Sequence, residues 1–432
     1  MIPTLANKIF LIASCMIKRL CFSFCLGMTT LVAQSQTLDS LDIKIGQMIL
    51  IGIPHASTDT LVMEEVRNGR VGAIILFEKN VPKKPNAFAD LKKIIWSYKK
   101  VAPIPLFVAI DQEGGKVNRL KEKYGFTRSI TAAATGKSRS QDSIRFYADA
   151  TAATLAGLGF NINFGPVVDV AVEPTNPAIV KNERSYSANE DSVAFFAKEF
   201  VKEHRKYGII TVLKHFPGHG SSMADTHFGI ADVTKTWSER ELKPYKLLLD
   251  SGYVDAVMTA HIVNKNLDKN GNPGTLSQDI LQGILCNQLG YKGVVFSDDM
   301  QMEAITKQYG FEQSIVMAIQ AGVDIMCFAN NVPGSQKRKV DLIFSAVKDA
   351  VAKGVITPQR IDDSYKRIMK LKGELNTDYK TEYKRLLEKD QLHNRLTLQQ
   401  LKAARQEIKL LNEQIASLDK KKKKKKKNQT SN

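Results

Sequence analysis

Cysteine and tryptophan are scarce in this chain, with five and two in 432 residues. Cys15, Cys21 and Cys25 fall in the first segment, so the remainder holds only Cys286 and Cys327, both inside apolar stretches. That excludes a disulfide framework, and two buried free thiols fit better than a single bridge. Acid is missing from the first thirty-five residues. There Lys18 and Arg19 precede the apolar run from Leu20 to Ala33, which is too short to cross a membrane. With the small residues Ala33 and Ser35 after it, the segment 1–35 reads as a secretory signal, placing the mature chain in the periplasm or cell envelope.

Glycine and proline are absent from Lys380 to the end. Residues 379–419 are therefore expected to form one long helix. Leu401, Ala404, Ile408, Leu411, Ile415 and Leu418 lie on alternating steps of three and four, a seam suited to a short coiled coil or to packing on the rest of the chain. The closing 420–432 opens on eight lysines and is expected to be disordered, with an anionic envelope surface as a partner. Those eight, with Lys8, Lys18 and Arg19, account for eleven positive charges of a formal +18 and leave +7. The case for a nucleic-acid partner goes with them. A phosphate loop is excluded as well, because Thr131 stands where Gly136-Lys137-Ser138 would need its first glycine.

What is present is a repeating pattern. Between residues 36 and 378, eight apolar runs alternate with helical spacing: Gly46 to Ile51, Val71 to Phe77, Pro105 to Ile110, Asn161 to Phe164, Ile209 to Leu213, Asp255 to Ala260, Gly293 to Ser297 and Val323 to Phe328. Continuous apolar strands separated by helices imply a parallel sheet covered on both faces, and eight of them imply an α/β fold of the (β/α)8 TIM-barrel type with a C-terminal helical extension. Helices are expected over Asp142 to Leu158, Asp191 to Tyr207 and Ser238 to Asp250, and a last one capped by Thr357 and Pro358.

In such a barrel the residues just after each strand share one face, where the chemistry is done. Here they are polar: Asp111-Gln112-Glu113 and then Arg119; Asp169 and then Arg184-Ser185-Tyr186; Lys214-His215-Phe216-Pro217-Gly218-His219-Gly220 and then Asp225-Thr226-His227; His261; and Asp298-Asp299. The set suits glycosidic cleavage, which needs a carboxylate beneath the anomeric carbon and a proton donor at the leaving oxygen. Asp298, at a strand end, is placed for the first role, with Asp299 as the alternative. His227, on a Gly-rich loop, fits the second, and Asp225 would hold one of its ring nitrogens. Asp111, Arg119, Arg184, Lys214 and His215 would grip hydroxyl and acyl groups. Pro217 to Gly220 read as the hinge of that loop, and His261 as a supporting histidine. His215, His219 and Asp225 could instead hold a metal, but Pro217 and Gly218 deny the helix that an i,i+4 histidine pair requires, so neither metal nor organic cofactor is called for.

The segments Asp111-Gln-Glu-Gly-Gly, Arg184-Ser-Tyr, Lys214-His-Phe-Pro-Gly-His-Gly, Asp225-Thr-His and Phe296-Ser-Asp-Asp-Met closely resemble glycoside hydrolase family 3, in particular its single-barrel, NagZ-type β-N-acetylglucosaminidases. The likeness covers roughly residues 40 to 375. It implies a retaining mechanism with Asp298 as nucleophile, His227 paired with Asp225 as acid/base, and an N-acetylglucosamine ring held by Asp111, Arg119, Arg184, Lys214 and His215. In the bacterial subgroup it implies peptidoglycan fragments, or muropeptides, as substrate. The chain departs from the pattern at Thr226, often Ser, and at Ala231, often Pro. Within the same family a β-glucosidase or a phosphorylase remains open, although the segment after the barrel is too short for the second domain from which such glucosidases generally take their acid. A non-catalytic wall-binding barrel is the alternative of another class.

Overall fold

The computed structural model describes residues 40–226, 229–331 and 340–375. The expected leader, the long helix at 379–419, the lysine-rich tail and His227 lie outside them. Contacts divide the chain into Met1–Ile43 and Lys44–Asn432. Of the first unit, the described residues are 40–43, which begin the helix Leu41–Gln47.

The second unit is built on a closed, all-parallel barrel of eight strands. These are β1 (Ile49–Gly52), β2 (Ala73–Leu76), β3 (Phe107–Ile110), β4 (Ile162–Asn163), β5 (Ile210–Phe216), β6 (Ala256–Thr259), β7 (Val294–Asp299) and β8 (Ile325–Phe328). All eight apolar runs of the sequence become barrel strands, in order. Closure is visible at Leu50, which pairs with Ala73 on one side and Cys327 on the other. The strands are buried on both faces because their inner side chains fill the barrel, where Phe164 meets Phe296 edge-on at 5.5 Å, and their outer ones lie under helices.

The covering helices end where local chemistry dictates. Gln141–Leu158 starts on Ser140, whose hydroxyl accepts from the Ser143 amide, and stops at Gly159 in the left-handed region. Glu190–Arg205 starts on Asn189 in the same way. The helix expected over Ser238 to Asp250 divides into a 3-10 turn, Glu239–Leu242, and an α-helix, Lys243–Asp250. Pro244 explains this, since it lacks the N–H that would bond one turn back. Thr357 caps Pro358–Gly373 by accepting from the Arg360 amide. Both Cys286 and Cys327 are free thiols, but only Cys327 is buried. Cys286 is half-buried on a π-helix, Asp279–Gln288, that buries Ile280, Leu281 and Leu285.

Two strands break register, and both breaks fall at the site. Between Leu213 and Phe216 of β5, and between Phe296 and Asp299 of β7, three steps along the strand face two along its neighbour. Each break inserts one residue, bending the strand end and re-aiming side chains at Lys214-His215 and Ser297-Asp298.

Candidate active site

The segment after β3 is fixed by the strand beside it. The backbone of Gln112 donates to Asn163 Oδ1 at 3.0 Å and accepts from Asn163 Nδ2 at 3.1 Å. The Gln112 side chain then accepts from the amides of Arg119 and Leu120, at 3.0 and 3.1 Å. Asp111 and Glu113 are thereby held on either side of Gln112, and Arg119 is drawn back to 3.5 Å from Asp111.

Lys214, at the end of β5 and only 2% exposed, lies 2.8 Å from Asp111 and 2.7 Å from Glu113. Arg184 grips Glu113 with two parallel bonds of 2.9 and 2.8 Å, the fork geometry that suits a guanidinium to a carboxylate. Its Nη2 also lies 3.2 Å from His215 Nε2, and His215 Nδ1 lies 2.7 Å from Asp169 Oδ2. Because Arg184 can only donate, Nε2 accepts and Nδ1 carries the proton given to Asp169. Both nitrogens of His215 are committed, which removes it from the metal reading. Among the described residues no group of three or more His, Cys, Asp or Glu is arranged to hold a metal ion.

The network balances three cations against three carboxylates. Burial pushes Asp111 up, but Lys214 and Arg119 more than offset it and its carboxyl is held low. Burial likewise pushes Glu113 up, but Arg184 and Lys214 outweigh it and hold its carboxyl well below the usual range. Asp169, fully buried, is pulled down by His215 and His219. Arg184 is raised despite its burial, chiefly by Glu113. Asp111, Glu113, Asp169 and Arg184 are charged at neutral pH, and Lys214 and Arg184 are buried among these carboxylates at one end of the barrel.

At the end of β7, Asp298 and Asp299 are differently engaged. Asp299 Oδ1 accepts from the amides of Gln301 and Ala329, both at 3.1 Å, and is bound into the turn after β8. Asp298 Oδ1 accepts from the Asp299 amide at 2.8 Å. Burial raises the Cys327 thiol, and the charges of Asp299, Asp298 and Asp111 raise it further, so the β7 pair and the Asp111 network crowd the same end of the barrel. His261 is buried between Thr275, at 2.7 Å, and the Asp299 carbonyl, at 3.0 Å, the supporting place expected of it.

Five of the expected residues thus join one network, bridged by Glu113: Asp111, Arg119 and Lys214 on one side, Arg184 and His215 on the other. Asp225 is half-buried, and Thr226 is buried with its hydroxyl 3.5 Å from His219 Nε2. Glu113 and Asp169 are additions; both stood in the polar post-strand segments, but nothing local marked them as ligands of Lys214, Arg184 and His215.

Pro217 to Gly220, expected as a hinge, are clamped. The Pro217 carbonyl accepts from Trp237 at 3.1 Å, the His219 amide donates to Asp169 at 2.8 Å, and the carbonyls of His219 and Gly220 accept from Asn176 at 2.7 and 3.1 Å. The glycines answer close packing: a Cβ at Gly220 would come within 1.7 Å of the Val170 carbonyl, and one at Gly218 within 2.6 Å of Glu241 Cβ.

Comparison with known proteins agrees with this architecture. A beta-hexosaminidase A of Pseudoalteromonas piscicida is 30% identical over 323 residues, 71% of this chain, which spans 54% of that protein's length. A beta-hexosaminidase of Tolumonas auensis is 30% identical over 66% of this chain and 84% of its own length. Among solved structures, a glycoside hydrolase family 3 beta-N-acetylglucosaminidase from Paenibacillus sp. superposes with a TM-score of 0.71 at 30% identity, over 80% of this chain and 67% of that one. A beta-N-acetylhexosaminidase from Beutenbergia cavernae superposes with a TM-score of 0.69 at 27% identity, over 77% and 98% of the two chains. The family model for the glycosyl hydrolase family 3 N-terminal domain matches residues 40–371, most of the chain, and the chain belongs to that family.

Proposed function

We propose that this protein is a retaining exo-β-N-acetylglucosaminidase that removes terminal β-linked N-acetylglucosamine from peptidoglycan fragments or related amino-sugar glycans. The observation that carries the reading is the buried, charge-balanced network of Asp111, Glu113, Lys214, Arg184, His215 and Asp169 at the same barrel end as Asp298. Buried donors held in place by carboxylates suit the hydroxyl and acetamido groups of one sugar ring. Asp298 is the nucleophile: Asp299 spends one oxygen on two backbone amides, whereas Asp298 lies in the register break between Phe296 and Asp299 of β7. His227, with Asp225, gives its proton to the leaving oxygen and recovers one from water in the second step. The relatives named beta-hexosaminidase support the same substrate class.

We place the enzyme outside the cytoplasm on the strength of the leader-like segment 1–35, with the lysine-rich sequence at 420–432 contacting the envelope and the heptad-patterned sequence at 379–419 serving self-association. The deciding experiment is release of chromophore from an aryl β-N-acetylglucosaminide against the matching β-glucoside, with and without inorganic phosphate. Turnover confined to the amino sugar and indifferent to phosphate supports the proposal. A sugar phosphate product would make it a phosphorylase, and inertness towards both glycosides would end the enzyme reading.

A further inference from the structure

The clamped stem of the fifth loop rests on one acid that no role so far has used. Glu241, in the turn before Lys243–Asp250, is 0% exposed, and its Oε2 accepts from the Gly220 amide at 2.7 Å. It also fills the space that the missing side chain of Gly218 leaves, with Oε2 2.9 Å from where a Cβ would stand. Glu241 therefore touches both glycines of the stem. Its neighbour across the stem is Asp169, which holds the His219 amide, and His219 in turn reaches Thr226, the residue before His227.

We infer that Glu241 is a positioning residue whose carboxyl group fixes the stem of the loop carrying Asp225 and His227, and so sets how well that loop delivers a proton to the leaving oxygen. The inference rests on the assignment of His227 as acid made above. A neutral clamp suits the place: burial, with Asp169 adding to it, raises the Glu241 carboxyl to about 7, so below that pH it holds Gly220 without setting a second charge beside Asp169. Gln keeps the same acceptor at the same reach. Asp retains the acid but withdraws it by one methylene, loosening the stem while removing little packing.

The test compares Glu241→Gln and Glu241→Asp with the parent and with His227→Ala at pH 6, on an activated dinitrophenyl β-N-acetylglucosaminide and on diacetylchitobiose, whose leaving group needs protonation. A misplacement of this kind costs on the order of 100-fold in kcat for the disaccharide in Glu241→Asp, with the activated glycoside and both KM values little changed. Glu241→Gln is expected to track the parent on both substrates. Equal losses of Glu241→Asp on both substrates, or none on either, would overturn the inference, as would a Gln variant as poor as Asp. His227→Ala separates the two readings. If it shows the leaving-group split and Glu241→Asp does not, the inference alone fails; if it shows no split, the acid assignment fails and takes the inference with it.

Discussion

Lys214 serves two carboxylates at once, and that determines what its loss should do. Removing one partner from a buried ionic cluster leaves charges uncompensated, at a cost of about 3–5 kcal/mol. Lys214→Met should therefore lower stability by about that much in urea unfolding and also lose N-acetylglucosamine binding, since Asp111 and Glu113 would repel each other at the sugar's place. Asp298→Ala is the contrasting case, expected to abolish turnover while calorimetry still detects sugar binding. Glu241 adds a pH signature. Its folded value, near 7, lies above the 4.5 of an ordinary glutamate, so the folded state binds the extra proton between the two and stability falls as pH rises through that window. Tyr245, Arg240 and Asp169 are its charged and titratable neighbours, and Glu241→Gln should remove this fall while their contributions remain; a parent and variant with parallel stability curves from pH 4.5 to 7 would contradict it. Asp111, Lys214 and Arg184 were legible in sequence because each stands in a polar segment at the end of a strand or in the loop after it. The roles of Glu113 and Asp169 were not, because an acid in a loop looks the same whether it faces water or, as here, an arginine 71 positions away or a histidine 46 positions away.

At the scale of elements, the stem after β5 shows what motif reading misses. Gly and Pro are the signature of a turn and equally of close packing, and only the carbonyl of Val170 and the side chain of Glu241 reveal which applies. The register breaks in β5 and β7 were equally hidden, since one inserted residue leaves an apolar run looking continuous. At the end of β7 the break leaves Asp298 and Asp299 distinguished by their hydrogen bonding. The opposite end of β8 is organised for stability. Asp324, fully buried, accepts from Ser364 at 2.6 Å and from Arg367 at 2.7 and 3.0 Å, pinning the helix Pro358–Gly373 to β7 and β8 through its bond from the Val295 amide. Asp324→Ala strands Arg367 and Arg360 and should cost about 3–5 kcal/mol of unfolding free energy, with KM unchanged because the cluster lies at the end away from the site.

For the whole molecule, the barrel was readable because its strands are buried on both faces and so stand out as eight unbroken apolar runs. What seals it was not readable: Lys372, near the end of Pro358–Gly373, looks like one more basic residue on a polar helix face. In the fold it is 1% exposed, donating to Gln47 at 2.7 Å and to the Gly72 carbonyl at 2.8 Å, with its ammonium 4.7 Å from the Phe107 ring. The helix that completes the circuit thus inserts a lysine beneath β1, β2 and β3. Burial lowers its pKa from 10.5 to about 7. Between those values the unfolded chain binds the proton more tightly, so this group makes the protein more stable as pH rises from 7 towards 10, by at most about 1.4 kcal/mol per pH unit. Lys372→Met, which keeps the length and drops the charge, should flatten that rise relative to the parent in urea midpoints taken at pH 7, 8 and 9. If the two proteins respond alike, Lys372 keeps its proton throughout and its two acceptors, not burial, govern its charge.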